Sequence, residues 1–290
     1  MAPFWLAFLL SACGHSGHVV TTSQLVNMVR DEPIPDGHVA CAVFDADGTL
    51  WDFDLSETIV DRTVRDRTAS DRGLPAVNDL LASFGLPEAG DVYEARATIE
   101  TAWASGRIAA AARERGWDED AIAQRLWPSY NWLYVGFEPS AVAARARVLM
   151  AEEPYRAKVF AGVRPLLAAL RERSYRVRII SGGVHDFVQA AAADLGFHPE
   201  EVRGLALEVR DGVLTDRVVP PVPYQRGKAV LAVEMCGGTP RFVFGDSVAS
   251  GDSAMLDLAA VPVAVRPQDR HLASAIDRGM LIWERPDAAE

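Results

Sequence analysis

The sequence predicts an α/β fold, a doubly wound parallel sheet with a helical insertion, and three observations carry that prediction. Short apolar runs recur at 39–44, 176–180, 241–244 and 261–265 with helical patterns between them, as in a parallel sheet wrapped by helices. Three of these runs stop at residues that carry chemistry: Asp45 and Asp47, then Ser181, then Asp246. The block 55–154 is rich in Ala, Arg and Glu and shows helical spacing without strand alternation.

Taken in order, residues 1–13 form a short apolar N-terminal segment ending at Cys13. Residues 14–38 read as a tether with one short helix, Ser23 to Arg30, and a Pro-rich end, Asp31-Glu32-Pro33-Ile34-Pro35-Asp36-Gly37. The α/β core occupies 39–54 and 155–290, and the helical block 55–154 has breaks at Gly73, Gly85, Gly90 and Pro128. The core resumes with a helix opening at Gly162-Val163-Arg164-Pro165, where proline suits the first turn. That helix buries Leu166, Leu167 and Leu170. After the strand at 176–180, Val184, Phe187, Val188, Ala191, Ala192 and Leu195 share one helix face until Gly196 stops the pattern. The stretch 205–215 alternates around Asp211-Gly212 and reads as a β-hairpin. A helical pattern opens at Lys228, and Met280–Trp283 is expected as an edge strand.

A formal charge of −11 excludes a general nucleic-acid surface, which needs basic patches against phosphates. No stretch has the length needed to span a membrane. Of the cysteines, Cys41 and Cys236 fall in core elements, where nothing requires a disulfide.

Asp45 and Asp47 crowd two like charges at a strand end, which is costly unless a cation or a proton relieves it. A divalent cation, with one carboxylate left for chemistry, accounts for the pair; an acidic turn in solvent is the plainer alternative. An EF-hand loop fits worse, because Leu50 stands where that loop needs glycine. In open α/β sheets ligands bind beyond the carboxyl ends of strands, so the three loaded ends should converge. Ser181 with Gly182 and Gly183 precedes a helix, as an anion seat or as an ordinary N-cap. Lys228 in a first helical turn is electrostatically misplaced, so it points either to solvent or at the acids. Asp246 suits magnesium, whereas Asp252 is either a second acid of the same loop or the N-cap of a helix over 253–258.

The run Asp45-Ala46-Asp47-Gly48-Thr49 resembles motif I of the haloacid dehalogenase superfamily. Ser181, Lys228 and Asp246 match motifs II, III and IV in the family's order. The last motif departs in spacing: a second acid usually follows after four or five residues, and Asp252 follows after six. The block 55–154 is similar in position to a type-C1 cap, and the arrangement looks most like the phosphoserine phosphatase subfamily.

The resemblance implies a Rossmann-like core and Mg²⁺-dependent hydrolysis of a small-molecule phosphate ester. Asp45 would be the nucleophile forming an aspartyl-phosphate and Asp47 the acid and base. Gly48, Thr49, Ser181, Gly182 and Lys228 would hold the phosphate; Asp45, the Asp47 carbonyl, Asp246 and Asp252 would hold the metal. Asp47 disfavours carbon–halogen cleavage, since the dehalogenases lack that second aspartate. A phosphotransferase or phosphomutase on the same chemistry, or a non-catalytic lipoprotein binding phosphorylated ligands, are the alternatives.

For the substrate, Trp103, Trp117, Trp127, Trp132, Tyr130 and Tyr134 either cage a phosphocholine-like ammonium or simply core the insertion. Arg62, Arg65 and Arg67 either meet a phosphoserine-like carboxylate or form a solvated face. Phe4–Leu10 followed by Leu10-Ser11-Ala12-Cys13-Gly14 resembles a bacterial lipoprotein signal, implying lipid anchoring at Cys13 in the cell envelope, periplasmic or outer membrane. Met1-Ala2-Pro3 supplies no basic region, which leaves a cytoplasmic location as the alternative.

Overall fold

Successive residues of a strand point to opposite faces of its sheet. In the computed structural model, which describes residues 18–31, 33–284 and 286, the apolar runs bury both faces. Ala42, Phe44, Ile179, Phe242 and Phe244 enter one core, and Cys41, Val43, Ile180 and Val243 enter a second core on the other side. Phe44 and Phe244 stack across adjacent strands with ring centroids 4.3 Å apart. Such two-sided burial explains why the strands read as continuous apolar runs.

The strands are β1 (His18–Val19), β2 (His38–Phe44), β3 (Arg176–Val184), β4 (Val202–Arg210), β5 (Val213–Val219), β6 (Thr239–Gly245), β7 (Val261–Val265) and β8 (Leu281–Trp283). They form one eight-stranded sheet in the order β1-β8-β7-β6-β2-β3-β4-β5, parallel except for β4 with β5. The helices before β3 are α1 (Thr22–Asp31), α2 (Leu55–Arg65), α3 (Leu74–Ser83), α4 (Val92–Ala104), α5 (Arg107–Glu114), α6 (Glu119–Leu126), α7 (Pro128–Trp132), α8 (Pro139–Ala151), α9 (Glu153–Arg156) and α10 (Val163–Glu172). Those after it are α11 (His185–Ala192), α12 (Arg226–Cys236), α13 (Ser253–Leu256) and α14 (Asp269–Asp277).

From β2 the chain builds outward through β3, β4 and β5, then returns to lay β6 on the opposite side of β2. That reversal opens a crevice between the ends of β2 and β6, the place where such sheets bind ligands. The hairpin turn places Asp211 and Gly212 at φ of 51° and 82°, the left-handed pair that a two-residue connection requires.

The short helix expected over Ser23 to Arg30 is present as α1. Two other expectations change at the N-terminal side. The stretch around it is packed and not a tether: it adds β1 to the sheet, and α1 buries Leu25 and Val29 completely while packing on α10. β8 therefore is not the edge, because β1 pairs with it. The apolar run 4–10 and Cys13 lie outside the described residues. Among the described residues, no helix is long and apolar enough to cross a membrane.

Within the helical block, α3 to α6 enclose a core of their own that includes Val77, Leu81, Ala102 and Ile108. Helices α2 and α8 instead share the sheet's core through Leu55, Val60, Val142 and Leu149, and α8 packs on α11. Cys41 of β2 and Cys236 at the end of α12 form a disulfide, a pairing that the sequence did not demand. Both are fully buried. The bridge closes a loop with a sequence separation of 195 residues. Replacing both cysteines by alanine is expected to cost about 2–5 kcal/mol, read as a lower denaturation midpoint that reductant no longer changes.

Candidate active site

The strand ends meet because two glycines let backbone approach carboxylate. Gly48 adopts φ +70°, and a Cβ there would sit 2.5 Å from Asp246 Oδ2. A Cβ on Gly245 would sit 2.6 Å from Asp252 Oδ2. With those approaches made, Asp45, Asp246 and Asp252 bring carboxylate oxygens within 4.8 Å of one another. Asp45 continues the ladder of β2 by donating its N–H to the Phe244 carbonyl at 2.9 Å, which seats it at the mouth of the crevice.

Lys228, in the first turn of α12, is turned into the protein. Its Nζ donates to Asp45 Oδ1 and to Asp252 Oδ1, both at 2.6 Å. Asp252 is fully buried, and its Oδ2 accepts the Ser247 N–H at 2.9 Å. It does hold the N-cap position of α13, but its side chain makes no capping bond there and is given to the site instead. The six-residue spacing is absorbed by tight turns, with Ser250 and Asp252 both donating N–H to the Ser247 carbonyl.

Asp47 faces the same cleft under different restraint. Its Oδ1 accepts from Trp51 Nε1 at 2.6 Å and from the Leu55 N–H at 3.0 Å. Ser181 is buried within the end of β3, four residues before α11 begins, and is not that helix's N-cap. Its Oγ accepts the Gly183 N–H at 3.0 Å, which leaves the hydroxyl proton to donate elsewhere. The cleft, about 520 Å³, is lined by Asp45, Asp47, Gly48, Ser181, Gly182, Lys228 and Asp246 among others. Thr49 is not in that lining; its side chain is fully buried and its Oγ1 lacks a partner among the described residues.

Burial raises Asp45, Asp47 and Asp246. Asp45 is pushed well above the usual carboxylate range by burial and then by Asp252, against the pull of Lys228. Burial pushes Asp47 up to about 7, with Asp54 adding to it. Asp246 is pushed up to about 6 by burial and by Asp252. Burial alone would lower Lys228, but Asp252 and Asp45 hold it above its ordinary value.

One ammonium against three clustered carboxylates leaves an excess of negative charge in a dry site. Hard oxygen donors of this kind fit a divalent cation such as Mg²⁺, and Asp45, Asp246 and Asp252 are placed to ligate it. The carboxylate of Asp47 is outside that cluster, so its expected metal contact falls to its backbone carbonyl alone.

Residues 39–259 match the haloacid dehalogenase-like hydrolase family. The chain belongs to that family. The hydrolase is also 32% identical over 122 residues to phosphoserine phosphatase SerB2 of Mycobacterium tuberculosis. That match covers 39% of this chain and only 29% of the relative. Two solved structures share its fold. A protein of unknown function from Bordetella pertussis Tohama I has a TM-score of 0.57 at 19% identity, covering 84% of this chain and 97% of the other. A functionally unknown protein from Anaerococcus prevotii DSM 20548 has a TM-score of 0.56 at 16% identity, covering 89% and 87%.

The three arginines considered for the substrate do not line the cleft. Arg62 pairs with Glu152, Arg65 with Asp66 and Arg67 with Asp91. Among the aromatics, Trp117 and Trp132 pack on the insertion's own core and Tyr134 is buried against the sheet core. Trp127 and Tyr130 line the cleft. Sequence reasoning gave no role to Trp51, Asp54, Ser56, Glu57 or Tyr224. Asp54 was findable: Asp54-Leu55-Ser56-Glu57 is a helix-start pattern, and Asp54 accepts the Glu57 N–H at 2.7 Å. Ser56 Oγ, which accepts the Val184 N–H at 2.9 Å across the fold, left no sequence signal.

A carboxyl whose folded pKa lies above its unfolded value holds its proton more tightly in the folded chain, so stability falls as pH rises through the folded pKa. For Asp246 and Asp47 that loss runs from about pH 4 through about 7. The metal-free hydrolase is therefore expected to melt at lower temperature at pH 8 than at pH 5.5. Added Mg²⁺ should raise the melting temperature more at pH 8. Indifference to Mg²⁺ at pH 8 would contradict the metal assignment.

Proposed function

We propose that the hydrolase cleaves phosphate monoesters of small molecules by way of an aspartyl-phosphate on Asp45. The observation that carries this reading is the pairing of two unlike carboxyls in one cleft. Asp45 is clamped by Lys228, whereas Asp47 is fixed by Trp51 and Leu55 with its pKa pushed up to about 7. A group that titrates near neutrality can both give and take a proton at working pH.

An Asp45 oxygen attacks phosphorus, and the bond from phosphorus to the alcohol oxygen breaks. Asp47 gives its proton to that leaving oxygen. Asp47 then takes a proton from water, whose oxygen attacks the phosphorus of the acyl phosphate, releasing inorganic phosphate and restoring Asp45. The Ser181 hydroxyl, the Gly182 N–H and Lys228 are the donors available to the phosphoryl oxygens. Asp45, Asp246, Asp252 and the Asp47 carbonyl would hold a Mg²⁺, which would supply Lewis-acid neutralisation of the phosphoryl charge.

We also place the hydrolase in the cell envelope, lipid-anchored at Cys13. The apolar run before Cys13 supports this. So does the Cys41–Cys236 disulfide, because such bonds persist in oxidising compartments. Incorporation of labelled palmitate should be lost in Cys13→Ser.

Phosphate release from p-nitrophenyl phosphate should require Mg²⁺ and stop with EDTA. Asp45→Asn is expected to abolish turnover, and activity surviving in it would sink the covalent mechanism. Asp47→Asn keeps an acceptor oxygen for Trp51 and Leu55, so it should fold yet lower kcat by about 10²–10⁴.

A further inference from the structure

We propose that the subsite for the leaving alcohol takes a cationic amino alcohol, which makes the substrate class the phosphate esters of ethanolamine- or choline-like alcohols with no carboxylate beside the ammonium. This rests on the phosphomonoesterase reading above and names the ester that it leaves open.

Beyond the phosphate end, the cleft is walled by Asp54 and Glu57 from the start of α2, by Trp127 and Tyr130 from the insertion, and by Tyr224 from the loop before α12. The rings form a corner. Trp127 stands edge-on to Tyr130, with centroids 6.4 Å apart and planes at 83°. It also stands edge-on to Tyr224, at 6.0 Å and 71°. Ring planes set at such angles offer both faces and edges to one bound group, and the faces attract cations. Tyr224 is held across the cleft by donating its hydroxyl to Glu119 of α6 at 2.7 Å, so core and insertion share the wall.

Asp54 and Glu57 link this wall to the reacting centre. The charge on Asp54 helps to raise Asp47, and the charges on Glu57 and Asp54 both act on Tyr130. An ammonium placed two carbons from the ester oxygen therefore meets two carboxylates and an aromatic corner. A carboxylate in the same place meets the same acids. Among the described residues lining the cleft, Lys228 is the single base, and it belongs to the phosphate end, bonded to Asp45 and Asp252. Arg96 of α4 stands behind this wall, in a neighbouring cavity that shares Glu57, Trp127 and Tyr130 with the cleft. Its charge acts on Asp54 and Glu57, and its Nη2 donates to the Tyr130 hydroxyl at 3.4 Å. Its Nε donates to Glu100 Oε1 at 2.5 Å, and its guanidinium stacks 4.4 Å from the Tyr130 ring centre. With Arg96 held by Glu100 and Tyr130, the cleft's own lining among the described residues offers no further base for the carboxylate of phosphoserine.

Initial rates are to be compared for phosphocholine, phosphoethanolamine, phosphoserine and p-nitrophenyl phosphate with the full chain and Mg²⁺. Phosphocholine or phosphoethanolamine should exceed phosphoserine in kcat/KM by about tenfold or more, as expected for one cation–π contact plus one partly exposed ion pair. Asp54→Asn with Glu57→Gln should lower the ratio of kcat/KM for phosphocholine over p-nitrophenyl phosphate by about tenfold. Phosphoserine turned over as fast as the carboxylate-free esters would overturn the proposal while leaving the phosphatase reading intact. Failure of all four esters would instead remove the phosphatase reading. Calorimetry then still decides the subsite: choline should bind and its uncharged isostere 3,3-dimethylbutan-1-ol should not, and equal binding or none overturns it.

Discussion

Everything in the site is arranged around one buried ammonium. Lys228 Nζ bridges Asp45 and Asp252, and the three residues come from the end of β2, the start of α12 and the loop after β6. A charge withdrawn from water is tolerated only when its partners are close and fully bonded, so these segments have little freedom to move apart. The same contact meets a catalytic need. It holds Asp45 in one orientation and offsets part of the charge that three carboxylates would otherwise bring together.

The scaffold serves that constraint from both faces of the sheet. Phe44 and Phe244 stack beneath Asp45 and Asp246 on one side, fixing β2 against β6. On the other side, the Cys41–Cys236 bridge ties β2 to the far end of the helix whose first turn carries Lys228. The strand that carries Asp45 and the helix that carries Lys228 are thereby joined at both ends, by a salt bridge above and a covalent bond below. The insertion answers a different demand. It has its own core, near Val77, Leu81 and Ile108, and from its edges Trp127 and Tyr130 border the cleft while each also packs on a core.

Legibility followed the range of the interactions. Strands β2, β3, β6 and β7 were readable because burial on both faces leaves an unbroken apolar run in sequence. The helix around Phe187 and Val188 was readable from its period, and the hairpin from Asp211-Gly212. The convergence of Asp45, Ser181 and Asp246 followed from the rule about strand ends, whereas Lys228 could point to solvent or to the acids until α12 was seen to turn it inward. The role of α1 was not readable, since its short amphipathic face gains meaning only from α10 beneath it. Ser181 was misplaced by one reading, because β3 runs on through the glycines and its hydroxyl oxygen accepts the N–H of Gly183, two residues ahead.

By itself, the sequence determined the alternation of strands and helices, the family and the identity of the acids at the strand ends, because each depends on residues close together in the chain. Tertiary structure alone decided what each acid does. Asp252 was either a cap or a site residue until Lys228 and the Ser247 N–H were seen to claim both its oxygens. Asp47 became distinct from Asp45 only through Trp51 and the start of α2. The aromatic wall became part of a site only when Tyr224, distant in sequence, met Trp127. A carboxylate's charge is written in the sequence, but its pKa and partner are set by burial and by neighbours that only folding brings near.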